Sequence, residues 1–267
     1  MGSLREMNTE WQNDLKELHL PTVRSLYEPY AAQAQQESLS YEPYLHELME
    51  KECEVRRRHR IERDLRESKL PLEKTLATFD RSRLSRKLNQ QVNTLLKGEF
   101  LAQAENVLAF GHPGGGKTHR RSAIARELIR QGHRVGFRSC PLLVQDLLTA
   151  KQERRLSRLI KHLAKYEALV LDDIGYVQHN REEMEVLFTL LAERYERGSV
   201  MITSKLAFSQ WERIFQDPMT TAAVIDRLSH HSVILELNLP SYRMQTAEGK
   251  KKTEAGTHPT PAISESG

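Results

Sequence analysis

The chain has 267 residues, of which 39% are hydrophobic, so it can bury the core of one large domain or of two smaller ones. Its net charge is only +4, so nucleic-acid binding would have to come from a local cluster of basic residues. Cys53 and Cys140 lie far apart without metal-ligand spacing, which argues against a disulfide framework or a zinc site. No apolar run approaches the roughly 18 residues of a membrane span, and we expect a cytoplasmic protein.

The first part of the chain is predicted to be helical. Between residues 7 and 70, apolar residues recur at three- and four-residue spacing, with breaks at Pro21 and Pro43. This pattern indicates a small all-helical domain at residues 1–75, which would bind DNA or a partner. Its arginine-rich stretch is partly matched by acids, so a solvated, salt-bridged helix and a DNA-contacting helix both remain open. The arginines are Arg56, Arg57, Arg58, Arg60, Arg63 and Arg66.

The next part of the chain alternates short apolar runs with amphipathic helices. The runs are NVLAF, HRVGFRSC, ALVLDD, VMITS and SVILEL. This alternation predicts an α/β domain at residues 76–245, built on a five-stranded parallel sheet that is covered by helices. Residues 246–267 have almost nothing to bury, and we expect them to form a disordered tail.

A phosphate-binding loop follows the first predicted strand. The string GHPGGGKT matches the pattern G-x-x-x-x-G-K-[ST] between a strand and a helix. Backbone N–H groups of such a loop surround phosphates, Lys117 adds a positive charge, and Thr118 supplies a hydroxyl ligand for Mg²⁺. A glycine-rich turn that happens to hold a lysine is the weaker alternative. The loop consists of Gly111, His112, Pro113, Gly114, Gly115, Gly116, Lys117 and Thr118.

Two acids end the third predicted strand. In ALVLDD, four apolar residues precede Asp172 and Asp173, so both carboxylates are expected at the carboxyl edge of the sheet. There Asp172 would hold Mg²⁺ together with Thr118, and Asp173 would orient or deprotonate the attacking water. An Asp-Asp pair that merely opens a turn is the alternative.

Residues 151–166, KQERRLSRLIKHLAKY, predict one amphipathic helix with a basic face. At about 100° per residue, most of its basic residues fall within about 80° of one another. Because Glu153 is the single acid among residues 151–165, the phosphate backbone of double-stranded DNA is a plausible ligand, with a solvated face as the alternative. The basic residues are Lys151, Arg154, Arg155, Arg158, Lys161 and Lys165.

These motifs together resemble those of the IstB transposition helper ATPases, relatives of the DnaC helicase loaders in the AAA+ superfamily. The resemblance is carried by GHPGGGKTH, by ALVLDDIGY and by the stretch from VMITSK to PSYRMQ, and it extends to the N-terminal LKELHLPTVRSLYEPYAAQA. It implies an AAA+ fold, ATP and Mg²⁺ as ligands, and ATP hydrolysis. It further implies a homo-oligomer that assembles on DNA with ATP, selects target DNA and recruits a partner transposase.

The resemblance also assigns roles to residues outside the two motifs. Arg227 would be an arginine finger that reaches into the neighbouring subunit, although a solvated arginine is the plain alternative. Sensor 1 falls on Ser204 and Lys205. Arg243 occupies the position of a second sensor arginine, with an unrelated surface contact as the alternative.

Several positions depart from the usual pattern of the family. Arg120 and Arg121 replace the usual Leu-Ala after the loop, and Gly136 interrupts a strand. Burying an unpaired arginine would cost several kcal/mol unless it pairs or reaches solvent. Lys205 replaces an asparagine and cannot accept a hydrogen bond from water. We therefore expect ATP binding and assembly to be better preserved than hydrolysis.

Three other functions compete with the transposition helper. A DnaC-like replicative helicase loader would use the helical N-terminal domain to bind a helicase. A P-loop kinase would need an acceptor pocket and no trans-acting arginine. A nucleotide-binding DNA scaffold without turnover is also compatible with Lys205.

Overall fold

The computed structural model describes residues 4–71, 84–111, 117–175, 180–215 and 217–236, without the side chains of residues 4–7 and 117–120. The chain divides into two compact units, Met1–Asp64 and Leu65–Gly267. The domain boundary expected near residue 75 and the tail expected at 246–267 both lie outside the described residues.

The described part of the chain begins with three helices. They are α1 (Leu4–Glu17), α2 (Pro21–Gln36) and α3 (Tyr41–Ser68). Pro21 and Pro43 both fall in first turns, where a proline removes no intrahelical hydrogen bond. The first unit has its own small core, made of Leu15, Val23 and Leu48 with tyrosines packed around them.

A buried glutamate joins α3 to the start of α2. Glu52 accepts hydrogen bonds from the backbone N–H groups of Thr22 (2.8 Å) and Val23 (3.1 Å), and from Arg56 Nε (2.7 Å). It thus satisfies donors that every helix leaves unpaired at its first turn. Burial alone would raise the pKa of Glu52, but the donors from Arg56, Val23 and Thr22 outweigh burial and lower that pKa.

The second unit is built on a five-stranded sheet. The strands are β1 (Asn106–Phe110), β2 (Val135–Ser139), β3 (Ala168–Ile174), β4 (Ser199–Ser204) and β5 (Ser232–Glu236). They are all parallel in the order β2-β3-β4-β1-β5, which confirms the fold predicted from the sequence. β4 therefore lies between β1 and β3.

Helices connect these strands and cover the sheet. They are α4 (Arg86–Leu96), α5 (Glu99–Ala102), α6 (Lys117–Arg130), α7 (Cys140–Gln152), α8 (Leu156–Leu163), α9 (Arg181–Arg194), α10 (Glu212–Phe215) and α11 (Pro218–Ser229). Leu169, Val170 and Leu171 of β3 are fully buried, as expected for a parallel strand with helices on both faces.

The single helix predicted for residues 151–166 is wrong. α7 ends at Gln152, Arg154 adopts a left-handed conformation (φ 56°), and α8 begins at Leu156. The backbone N–H groups of Arg154 and Arg155 bond back to the carbonyls of Lys151 (3.1 Å) and Ala150 (2.6 Å), the pattern of a Schellman helix end. The basic residues are therefore distributed over α7, the turn after it, α8 and, at Lys165, the segment that follows α8.

Packing explains why position 136 in β2 is a glycine. A Cβ atom at this position would come within 3.1 Å of the Tyr166 ring. The guanidinium groups of Arg134 and Arg138 also lie over that ring, 5.7 and 5.6 Å from its centroid. Because glycine has no side chain, the Tyr166 ring can pack directly against β2.

Arg194 is buried at the amino end of the sheet. It is 3% exposed and donates to the carbonyls of Leu163, Tyr166, Glu167 and Ser199 at 2.9–3.3 Å. Burial lowers the pKa of Arg194 to about 10. The guanidinium thus links the end of α8 to the chain before β3 and to the first residue of β4.

We expect Glu52→Gln to destabilise the first unit by about 1–3 kcal/mol at pH 7, because buried donors lose a charged acceptor. A carboxyl whose pKa is lowered by folding stabilises the protein above its unfolded pKa and loses this contribution as pH falls through its folded pKa. The gap between wild type and Glu52→Gln should therefore close below about pH 4. Urea unfolding followed by circular dichroism measures both quantities.

The matched control is Glu54→Gln, which removes an exposed carboxylate that pairs with Lys51 on the same helix. It should change the unfolding curve little at either pH. Equal curves for Glu52→Gln and Glu54→Gln would show that Glu52 does not cap α2.

Candidate functional site

β1 ends at Phe110, at the carboxyl edge of the sheet, and α6 begins at Lys117. Gly111 directly follows β1 and has a φ of 149°, a value that favours glycine. Residues His112, Pro113, Gly114, Gly115 and Gly116 lie outside the described residues. Lys117 and Thr118 form the first turn of α6, so the predicted phosphate loop ends at a helix N-terminus, the positive end of the helix dipole.

Asp172 and Asp173 lie at the same edge of the sheet, at the end of β3. The pairing of β3 with β4 shifts register between Leu171 and Ile174, and Asp173 has a φ of 61°. Because of this irregularity, the side chains of the two consecutive acids do not alternate between the two faces of the sheet as they would in a regular strand. Their side chains are 16% and 40% exposed, so both carboxylates have access to solvent.

A threonine of β4 holds both acids. Thr203 Oγ1 donates to Asp172 Oδ1 (2.9 Å) and accepts from the backbone N–H of Asp173 (3.0 Å). Thr203 itself is fully buried. One hydroxyl group thus fixes the position of both acids relative to β4.

The predicted sensor residues follow Thr203 directly. Ser204 is buried, and its Oγ accepts from the backbone N–H of Leu206 (3.0 Å), so it shapes the turn after β4. Lys205 Nζ lies 4.0 Å from Asp173 Oδ2. The structure therefore brings Lys205 to the same acid that was predicted to activate water.

The structure explains Arg121, one of the positions that depart from the usual pattern of the family. Its side chain is 1% exposed; Nη2 donates to Asp172 Oδ1 (2.5 Å) and Nη1 donates to the carbonyl of Leu171 (3.1 Å). Burial lowers the pKa of Arg121, while the charge of Asp172 opposes that change. Sequence reasoning identified the arginine as a departure but not its partner. The side chain of Arg120 is not described.

Arg227 lies away from these acids. Its guanidinium stacks over the Phe188 ring at 4.7 Å, and its Nη1 is buried without a hydrogen-bond partner among the described residues. α11 ends at Ser229 and β5 begins at Ser232, so Arg227 lies toward the amino ends of the strands, opposite Asp172. Arg243 lies outside the described residues.

Six exposed basic residues surround the turn between α7 and α8, and we call them the basic segment. Lys151 pairs with Glu185 (2.9 Å), and Arg155 pairs with Glu153. The other four form no ion pair with any residue that the structure describes. The basic segment consists of Lys151, Arg154, Arg155, Arg158, Lys161 and Lys165.

Sequence reasoning missed two residues that hold the site together. One is Thr203; a polar residue within the apolar run VMITS was the signal that could have identified it. The other is Trp211, which is fully buried and donates from Nε1 to the carbonyl of Leu206 (3.1 Å). Its ring packs near those of Phe110, Phe208 and Phe215, so it anchors the turn that follows Lys205.

These features define the class of protein. A parallel sheet with β4 between β1 and β3, a glycine-rich sequence after β1 and two acids at the end of β3 characterise the AAA+ P-loop fold. The chain belongs to the family of IstB-like ATP-binding proteins, because the sequence model of that family matches residues 13–250.

Individual relatives and a solved structure agree with this assignment. The chain is 41% identical over 239 residues to an insertion sequence ATP-binding protein of Sinorhizobium fredii, covering 89% of this chain and 80% of the relative. It is 37% identical to the ATP-binding protein of insertion sequence IS21 from Pseudomonas aeruginosa, covering 88% and 85%. The DnaC helicase loader superposes with a TM-score of 0.52 at 19% identity, covering 62% of this chain and 98% of DnaC, which supports the fold alone.

The donors at this edge suit a magnesium nucleotide. The two carboxylates are oxygen ligands of the kind that Mg²⁺ prefers, directly or through water, and both have access to solvent. The adjacent helix N-terminus suits phosphates. Among the described residues, no helix is both long enough and apolar enough to cross a membrane.

We expect Thr203→Val to lower the free energy of unfolding by about 1–2 kcal/mol, because it leaves the Asp173 N–H without its acceptor and removes a donor to Asp172. It should also weaken binding of a fluorescent ATP analogue, because both acids lose a fixed position. Denaturant unfolding and fluorescence titration measure the two effects.

Thr221→Val is the matched control, since it also removes a buried hydroxyl, one that donates to the Asp217 carbonyl in α11. It should cost stability but leave the affinity for the analogue unchanged. If both variants bind the analogue as wild type does, Thr203 has no part in the site.

Proposed function

We propose that this protein is an ATP-hydrolysing, self-assembling DNA-binding protein that selects or remodels target DNA and recruits or activates the transposase of an insertion sequence. The observation that carries the proposal is that Asp172, Asp173, Lys205 and the start of α6 lie at one edge of the sheet. The relatives named as insertion sequence ATP-binding proteins supply the context.

ATP is proposed to bind with its phosphates in the loop from Gly111 to Thr118. Lys117 would pair with the β- and γ-phosphates, and Thr118 and Asp172 would hold Mg²⁺, which supplies neutralising charge when bound. Asp173 would accept a proton from water as the water oxygen bonds to the γ-phosphorus and the bond to ADP breaks. Thr203 holds the carboxylate of Asp172 but only the backbone of Asp173, whose carboxylate is the more exposed of the two; this difference supports the division of roles.

Lys205 is proposed to slow hydrolysis. Its ammonium lies 4.0 Å from Asp173 Oδ2 and is attracted to the carboxylate that would take the proton. An ammonium group also cannot accept a hydrogen bond from water. Binding of ATP and assembly would therefore be less affected than turnover.

Arg227 is proposed to act in a neighbouring subunit. Its position toward the amino ends of the strands leaves it remote from the acids of its own chain, which is what a trans-acting residue requires. A finger of this kind is worth about 10³-fold or more in turnover. ATP binding and assembly would thereby depend on each other.

The basic segment is proposed to contact the phosphate backbone of double-stranded DNA. Four of its six residues have no acidic partner among the residues that the structure describes. Contacts to phosphates position a duplex without reading its sequence, which suits a selector of target sites with low specificity.

A replicative helicase loader remains the second candidate. The likeness to the DnaC helicase loader has 19% identity and supports the fold. The insertion sequence relatives, at 41% and 37% identity, favour the transposition role. Stimulation of a transposase by the ATP-bound protein would support that role, whereas binding to a replicative helicase without any effect on a transposase would favour the loader.

We expect Lys205→Asn to raise ATP turnover by about tenfold, because it restores a hydrogen-bond acceptor for water and releases Asp173 from the lysine. The affinity for a fluorescent ATP analogue should change much less. A phosphate-release assay beside an analogue titration separates the two quantities. Lys165→Asn, which changes an exposed lysine of the basic segment, should leave turnover without DNA unchanged, and equal rates for all three proteins would refute the role of Lys205.

We expect the double variant Arg158→Gln, Lys161→Gln to lower the slope of log affinity against log salt for a duplex by about 2, because each lost phosphate contact contributes about 0.9. Fluorescence anisotropy at several salt concentrations, with ATP analogue present, measures the slope. Arg197→Gln, which removes an exposed arginine elsewhere, is the control. An unchanged slope in the double variant would place the DNA on another surface.

A further inference from the structure

One buried ion pair lies inside the proposed nucleotide site. Arg121 of α6 is 1% exposed, and its Nη2 is 2.5 Å from Asp172 Oδ1. A second hydrogen bond, from Nη1 to the Leu171 carbonyl, fixes the plane of the guanidinium. The carboxylate of Asp172 therefore already has a positively charged partner from its own chain.

The position of Arg121 along α6 is close to the phosphate loop. It follows Thr118 by three residues, a spacing that places two positions on the same face of a helix. Asp172 and Thr118 are the two residues proposed to hold Mg²⁺. The guanidinium thus occupies the region in which a divalent cation would be drawn to Asp172.

We propose that Arg121 acts as an internal counter-ion that competes with Mg²⁺ for Asp172 and so raises the Mg²⁺ concentration needed for nucleotide binding. The inference rests on the proposed function, in that ATP and Mg²⁺ bind at this edge. Arg121 is a positioning residue, since it acts through Asp172 rather than on the nucleotide.

Electrostatics give the direction of the effect. A guanidinium a few ångströms from a divalent cation repels it, and the carboxylate charge that would attract the cation is already partly neutralised. Burial of the guanidinium strengthens both effects, because little water screens its charge. Thr203 still donates to the same carboxylate oxygen, so Asp172 stays in place while its attraction for a cation falls.

A structural role is the competing explanation. The pair also ties α6 to β3, and removing one partner of a buried pair leaves an uncompensated charge. A purely structural pair predicts that every substitution of Arg121 lowers stability without changing the need for Mg²⁺. If Arg121 acts as a counter-ion, the Mg²⁺ concentration needed for nucleotide binding depends on the charge at position 121.

The test uses the full chain and a fluorescent, non-hydrolysable ATP analogue, with Mg²⁺ titrated at fixed analogue concentration. Arg121→Met and Arg121→Gln remove the charge; the glutamine keeps hydrogen-bonding capacity, which favours folding. Arg121→Lys keeps the charge. Arg130→Met is the control, because Arg130 is an exposed arginine of the same helix that pairs with Glu127. Thermal unfolding of each variant is recorded in parallel.

We expect the half-saturating Mg²⁺ concentration to fall about tenfold in the two neutral variants. It should stay near the wild-type value in Arg121→Lys and Arg130→Met. An unchanged or higher Mg²⁺ requirement in a folded neutral variant overturns the proposal, and so does failure of both neutral variants to fold while Arg121→Lys folds. If wild type does not bind the analogue at any Mg²⁺ concentration, the proposed function fails as well, which distinguishes the two failures.

Discussion

The Thr203 hydroxyl is the group on which the geometry of the site depends. It joins Asp172 and Asp173 to β4 through one donated and one accepted hydrogen bond. It can do so because β4 lies beside β3, between β3 and β1. The carboxyl end of β1, the two acids of β3 and Lys205 after β4 thus lie at one edge of the sheet, although they come from three separate parts of the chain.

Two buried arginines in the second unit are accommodated by different physical means. Arg194 has four backbone carbonyls as partners, and burial lowers its pKa to about 10. Arg121 donates to a carboxylate as well as to a carbonyl, so its guanidinium forms an ion pair in addition to a neutral hydrogen bond. The first arrangement connects segments at the amino end of the sheet, and the second lies at the carboxyl end, inside the proposed nucleotide site.

Much of the fold was predictable because each strand is a short apolar run flanked by amphipathic helices. The acids at the end of β3 and the loop after β1 were predictable for the same reason, since motifs of this kind are local in sequence. The break at Arg154 was not, because a left-handed helix end at an arginine lacks the usual glycine signal. Nor was the partner of Arg121, which lies 51 residues away in the chain.

Electron microscopy of the protein with a non-hydrolysable ATP analogue, Mg²⁺ and a duplex of about 60 base pairs would show whether the protein assembles on DNA under the control of ATP. We expect nucleotide-dependent rings or filaments on the DNA. We also expect nucleotide between the first turn of α6 and Asp172, Arg227 of the adjacent subunit at its phosphates, and the basic segment along the duplex. Nucleotide bound elsewhere, or DNA bound equally well as single subunits with and without nucleotide, would contradict this assembly.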